Sequence, residues 1–198
     1  MTSISVEGIR GGIGTSTLTW AIARELDNYS LFDYSEHQGL GWITGGIELD
    51  LSWPKYVSPE VEITELISNM KLVEQIPVFS GGSCHKWEAD KLINFQGNLL
   101  IDGKFDSQIR ILLTTNSFAD IKVLESGVDF DAVVMRKIRG GVPIAIVPDL
   151  PIDFLYKSET NVHRTVSNGY GLHRKTAVQK VAKEICARFF SASTKNNQ

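Results

Sequence analysis

The residues best suited to chemistry stand near the start of the chain, in Gly8-Ile9-Arg10-Gly11-Gly12-Ile13-Gly14-Thr15-Ser16-Thr17. The run follows a candidate strand, Ser3–Gly8, and opens a candidate helix over Ser16–Leu26. Glycines let the backbone turn tightly and draw consecutive N–H groups together. The first N–H groups of a helix lack partners inside it and attract anions. Strand, glycine loop and helix in this order make a phosphate-binding loop the leading expectation, with a plain tight turn as its competitor.

The elements that must hold this loop follow from periodicity. Short aliphatic runs at Ser3–Gly8, Tyr29–Asp33, Gln75–Phe79, Asn98–Asp102, Arg110–Thr114, Asp131–Met135 and Ile144–Val147 read as strands. They are continuous rather than alternating, as parallel strands covered on both faces are. Helical stretches lie between them at Ser16–Leu26, Glu60–Met70, Lys86–Asn94, Phe118–Glu125 and Lys175–Phe190. Such alternation predicts an α/β fold, a mostly parallel sheet with helices on both faces and right-handed crossovers. One domain over residues 1–190 is expected, with 191–198 as a flexible tail.

Arg10-Gly11-Gly12-Ile13-Gly14-Thr15-Ser16-Thr17 resembles the deviant Walker A loop of the ParA/MinD ATPases, whose pattern is Lys-Gly-Gly-x-Gly-Lys-Thr-Thr. The likeness continues at Leu31–Gly39 (the second-strand segment), at Asn98–Asp102 (the Walker B strand) and at Ile146–Pro151 (a late strand and base loop). It implies a P-loop architecture with nucleotide phosphates on Arg10, Gly11, Gly12, Ile13, Gly14, Thr15, Ser16 and Thr17. Pro148 and Asp149 would lie near the base, and Ser16 with Asp102 would hold magnesium. Gly39-Leu40 and Leu51-Ser52-Trp53-Pro54 are most similar to the CpaE/TadZ and actinobacterial septum-site-determining branch.

The departures from that pattern bear on activity. Arg10 stands at the signature lysine, Thr15 at the phosphate-binding lysine and Ser35 at a second carboxylate of the family's second strand. A P-loop lysine tracks the β- and γ-phosphates, and removing such a charge-stabilising donor costs about 3–4 kcal/mol of transition-state stabilisation. Efficient ATP hydrolysis is therefore not expected, and Arg10 and Asp33 are the residual catalytic candidates. ATP or ADP with magnesium is expected at reduced affinity, or no nucleotide. The resemblance implies a cytoplasmic positioning or scaffold factor for pilus-secretion or division machinery, homodimeric and recruited to a cell pole or septum. A weak ATPase using Arg10 as its substitute cation is the alternative within the family.

A second alternative uses the same loop. Gly8-x-x-x-Gly12-Ile13-Gly14 also fits a short-chain-dehydrogenase dinucleotide loop, with Asp33 on a ribose. That family's Tyr-x-x-x-Lys pair is matched only by Tyr170 and Arg174, and an arginine is a poor tunable base. His37, His85, His163 and His173 share no metal spacing, and Cys84 beside His85 is read as incidental. Gly45-Gly46 and Gly81-Gly82 mark turns. Arg136-Lys137-Ile138-Arg139-Gly140-Gly141 could meet a nucleotide, though short basic clusters are usually solvated.

Composition narrows the classes further. The 198 residues carry a formal charge of −3, with 42% hydrophobic and 22% charged side chains, an ordinary globular balance. No apolar run approaches the roughly 20 residues of a membrane-spanning helix. Two cysteines exclude a disulfide scaffold, and the start reads as no secretory signal. From Leu155 onward there are 8 basic and 2 acidic residues, yet no basic stripe that predicts nucleic acid as a partner. The last helix carries Val178, Val181, Ala182, Ile185, Phe189 and Phe190 on one face. Packing against the sheet explains that stripe more simply than contact with a membrane surface. Trp42 and Trp53 are candidates for a partner surface or for the core.

Overall fold

The structure is a computed structural model, and it describes residues 2–34, 39–43, 71–80, 97–147, 149–159, 163–166, 169–172 and 176–190. The expected helices Glu60–Met70 and Lys86–Asn94 lie outside these residues, as do Ser35, His37, Gly45-Gly46, Trp53, the segment Gly81–His85, Pro148 and the tail.

Eight strands form one sheet: β1 (Ser3–Gly8), β2 (Tyr29–Asp33), β3 (Lys71–Val73), β4 (Ile76–Ser80), β5 (Asn98–Asp102), β6 (Ile109–Thr115), β7 (Ala132–Lys137) and β8 (Phe154–Lys157). Their order is β3-β4-β2-β5-β1-β6-β7-β8. All neighbours run parallel except β3 and β4, which form an antiparallel hairpin at one edge. A separate antiparallel pair joins β9 (His163–Val166) to β10 (Gly169–Leu172). The helices are α1 (Thr15–Ala23), α2 (Gly39–Ile43), α3 (Phe118–Glu125) and α4 (Ala177–Phe190).

Side chains of the central strands alternate between two apolar layers, because successive residues of a strand point to opposite faces. Ile4, Val6, Ile111, Leu113, Ala132 and Val134 join Leu18–Ala23 of α1 and Val178, Val181, Ala182 and Ile185 of α4 in the larger layer. Leu112, Val133 and Met135 join Leu124 of α3 in the smaller one. Six consecutive buried residues, Leu18–Ala23, show why α1 has no polar face. It lies against β1, β5, α2 and α4 and is covered on all sides. α4 alternates instead: its apolar stripe packs inward while Lys180, Lys183 and Arg188 face outward. The Gln179 side chain ties it to α1, donating to Ala21 O at 2.9 Å and Glu25 Oε1 at 2.6 Å.

One expected strand is corrected. Ile144–Val147 is not a strand, because Ile144–Ile146 forms a 3₁₀ turn closed by Ile146 N to Pro143 O and Val147 N to Ile144 O. Pro143 and Pro148 bracket this run, and neither can donate to a ladder. The late strand is Phe154–Lys157, which pairs with β7 in register Val134↔Phe154 to Lys137↔Lys157. α1 also ends earlier than expected, where Arg24 N bonds to Trp20 O and Glu25 N closes back on Ile22 O. Among the described residues no helix is long and apolar enough to cross a membrane.

Candidate functional site

The glycine loop sits at the C-terminal end of β1, in the middle of the sheet. Ile9 N still donates to Leu113 O at 3.0 Å, so the chain leaves the sheet only after Ile9. Arg10, Gly11 and Gly12 are exposed, and Ile13 is fully buried and pins the loop to the larger core layer. Gly12 and Gly14 adopt left-handed φ values of 75° and 100°, which only glycine takes at little cost. Gly14 is the N-cap of α1, and its carbonyl accepts from Leu18 N at 3.0 Å. No side chain caps this helix start. The loop therefore turns the helix N-terminus toward solvent at the edge where open α/β sheets bind ligands. Thr15 folds back over Gly8, so closely that a Cβ on Gly8 would stand 2.4 Å from Thr15 Oγ1.

Beside the loop, β2 and β5 place two carboxylates in register, Asp33 opposite Asp102. Both are buried, Asp102 completely. Asp33 Oδ2 accepts from Leu40 N at 3.1 Å, which docks α2 on this corner. Asp102 Oδ1 lies 3.2 Å from Thr19 Oγ1, a hydroxyl that also reaches Thr15 O at 3.0 Å. Asp102 Oδ2 is buried without a well-formed hydrogen bond among the described residues. Burial, with the Asp33 charge beside it, pushes the Asp102 carboxyl up to about 8, against the pull of the Ser16 and Thr19 hydroxyls. Such an orphaned oxygen marks a place where something is wanted. Ser16 lies in the same corner, under Gly39, where a Cβ would come within 2.2 Å of Ser16 Oγ.

These oxygens suit a hard cation. Magnesium prefers one or two carboxylates or hydroxyls together with phosphate oxygens over an all-protein cage. No group of three or more His, Cys, Asp or Glu among the described residues could hold a metal alone. Ser16 and Asp102 are therefore a fitting partial site that a phosphate would complete. The lysine position fits less well, since Thr15 brings a hydroxyl and no charge.

The cations are arranged differently from the sequence expectation. Arg10 turns to α3: its Nε donates to Asp120 Oδ1 at 3.0 Å, and an Nη lies 3.4 Å from Thr115 Oγ1. Asp120 also accepts from Thr115 N and Thr115 Oγ1. Those hydrogen bonds outweigh burial and hold its carboxyl below the usual range. Arg136, the first residue of the basic cluster that could meet a nucleotide, reaches the loop: its Nη1 stands 3.2 Å from where a Cβ on Gly14 would be. The signal was the two-residue period, which puts Ala132, Val134 and Arg136 on the α1 side of β7. Lys137 and Arg139 are exposed, as expected of a solvated cluster.

The remaining expected positions are dispersed. Asp149 is exposed in the crossover between β7 and β8, whose Ile144, Leu150 and Ile152 pack on the α3 side of the sheet. Tyr170 lies on β10, where four residues no longer make one helical turn, and Arg174 is outside the described residues. Cys186 is a buried free thiol raised by burial to about 12, unsuited to act as a nucleophile.

No family model matches the chain, and no curated protein matches it in sequence. Solved structures do match in fold. A putative plasmid partition protein from Borrelia burgdorferi B31, bound to AMPPNP, superposes with a TM-score of 0.66 at 12% identity, covering 96% of this chain and 98% of that one. The MinD cell division protein of Aquifex aeolicus gives 0.62 at 12% identity, over 94% and 97% of the two chains. The MinC:MinD complex of the same organism gives 0.59 at 14%, over 82% and 84%. The fold is thus the α/β architecture of the ParA/MinD-type P-loop proteins.

Proposed function

We propose that this chain is a ParA/MinD-like P-loop protein that binds nucleotide phosphates with little or no hydrolysis and serves as a positioning or scaffold factor. The observation that carries the reading is the pairing of an intact loop with an incomplete charge set. The glycine turn, the uncapped, half-buried helix start and the Ser16–Asp102 corner stand together, while Thr15 occupies the lysine position. In this reading the N–H groups of residues 11–17 orient the phosphates, and Ser16 and Asp102 would hold magnesium, whose charge would offset part of that of the phosphates. Asp33 lies beside the corner, engaged by Leu40 N. Arg10 is already paired with Asp120, which disfavours it as the substitute catalytic cation.

Neighbours named for plasmid partition and for a cell division complex support the positioning role. The similarity of Gly39-Leu40 and Leu51–Pro54 to the CpaE/TadZ and septum-site-determining branch selects pilus-secretion or division machinery as the partner class, with a homodimer as the working form. Calorimetric titration with ATP and ADP in magnesium, beside an assay of phosphate release, tests the biochemical part. Saturable binding with negligible release is expected. Release at rates typical of an enzyme, about 1 per second or faster, would overturn the reading, as would no binding at millimolar nucleotide.

A further inference from the structure

With threonine at position 15 the phosphate loop lacks its usual cation, and two arginines, Arg10 and Arg136, stand near it. Arg10 belongs to it by sequence, but its guanidinium is engaged by Asp120 and Thr115 on the α3 side. Arg136 comes from the far end of β7, across β6, and makes no ion pair among the described residues. Its Nε is buried without a hydrogen-bond partner, and its Nη1 lies against Gly14. Its neighbours in register, Thr115 on β6 and Tyr156 on β8, bring no negative charge. Burial drives the Tyr156 phenol up to about 12, so it stays neutral. An arginine held half-buried beside a helix N-terminus, with an unpartnered Nε and no counter-ion among the described residues, is arranged for an incoming anion.

The backbone keeps it there. Ile138 N donates to Asn116 Oδ1 at 2.7 Å, Asn116 Nδ2 donates to Val142 O at 3.0 Å, and Val142 N donates to Asn116 O at 2.7 Å. This clasp fixes the turn leaving β7 and hence the strand end that carries Arg136. Gly14 completes the fit, because a side chain there would both strain a φ of 100° and press on the guanidinium. A second group points to a ligand at the same helix start: the orphaned Oδ2 of the fully buried Asp102, beside Ser16.

We propose that Arg136 supplies the cation of the glycine loop, its guanidinium contacting a phosphate held at Gly14–Ser16 in place of a lysine at position 15. The inference rests on the phosphate-binding reading above and adds the residue that neutralises the anion. A guanidinium forks to two oxygens and stays charged at all working pH. It can bind and orient a diphosphate from the side of β7, but it approaches on a different path from a lysine rising out of the loop.

The test is calorimetric titration of the full chain with sodium pyrophosphate and with ADP, in magnesium. Arg136→Gln is expected to weaken both by about tenfold or more, since a charge-assisted contact is lost. Arg136→Lys should retain part of the affinity, and Thr15→Lys added to Arg136→Gln should restore it. Arg10→Gln should change it less than about twofold. Should Arg136→Gln fail to fold, modification of the wild-type chain with phenylglyoxal, mapped by mass spectrometry, replaces it. Pyrophosphate is expected to protect Arg136 and leave Arg10 reactive. A wild type that binds neither ligand would overturn the phosphate-binding reading itself. Wild-type binding that survives Arg136→Gln, or that leaves Arg136 unprotected, would overturn this inference alone.

Discussion

The two sides of the glycine loop are built on opposite plans. On the β5 side, Thr19, Asp33 and Asp102 are buried and Ser16 is half-buried; Thr19 Oγ1 donates to Asp102, Leu40 N donates to Asp33, and Asp102 stands in register opposite Asp33. On the β6–β7 side, the loop cation is absent from position 15, and two arginines from different elements stand near it, one paired and one not. The difference shows where a site tolerates change. The acidic corner is woven into the core, so a change to any of its buried groups is felt by the fold. The cationic side is more open: Arg10 is half exposed and Arg136 half-buried, and each reaches the loop from a different element.

The acidic corner gives the largest expected effect. Asp102 has a raised folded-state pKa, so the native state holds its proton over a range in which the unfolded chain has released it. The contribution of this group to stability is then greatest below about pH 4 and is lost as pH rises toward about 8. Asp102→Asn removes the ionisation. Urea unfolding should show the variant gaining on wild type by about 2 kcal/mol or more between pH 5 and pH 8. The same variant should lose the magnesium dependence of nucleotide binding. A wild type whose stability relative to Asp102→Asn is flat across that range would show that the carboxyl is not desolvated.

Gly14→Ala comes next. It forces an L side chain to a φ of 100° and crowds Arg136 Nη1, so a loss of about 1–2 kcal/mol is expected in thermal or urea unfolding. Phosphate affinity should fall with it, since both the loop and its neighbouring guanidinium are displaced. Thr15→Lys, made alone, should raise ATP affinity by about tenfold, the worth of one added charge-assisted contact. Indifference of a folded Thr15→Lys variant would mean that position 15 does not face the phosphates. The smallest effect is expected for Arg10→Ala. Arg10 is half exposed, so its pair with Asp120 should be worth about 0.5 kcal/mol or less after solvent screening.

Much of the fold was legible where apolar runs end in glycine or aspartate. β1, β2 and β5 match their expected bounds, and α3 begins and ends as read, with Ser117 capping it through Asp120 N. The edge elements were not legible. β8 buries only Tyr156 of its four residues, so it lacks the continuous apolar signature of a central strand. β3 is three residues long and turns into β4 through Glu74 and Gln75, both at positive φ without a glycine to announce it. Ile144–Val147 had the right composition, but the prolines on either side won.

The site divides in the same way. Its loop was visible because glycine spacing is a local signal. The two-residue period puts Arg136 on the α1 side of β7, but its meeting with Gly14 depends on the strand order β1-β6-β7, which no local pattern encodes. The placement of Leu40 N on Asp33 is likewise a matter of how α2 docks, not of composition.

Amide hydrogen exchange tests the central claim most directly, because that claim concerns backbone N–H groups. With magnesium and ADP added at saturating concentration, exchange in peptides spanning residues 10–17 should slow markedly, while the β9–β10 pair should be unaffected. Unchanged exchange across 10–17 in the presence of bound ADP would contradict the account, placing the nucleotide somewhere other than the turn at the head of α1.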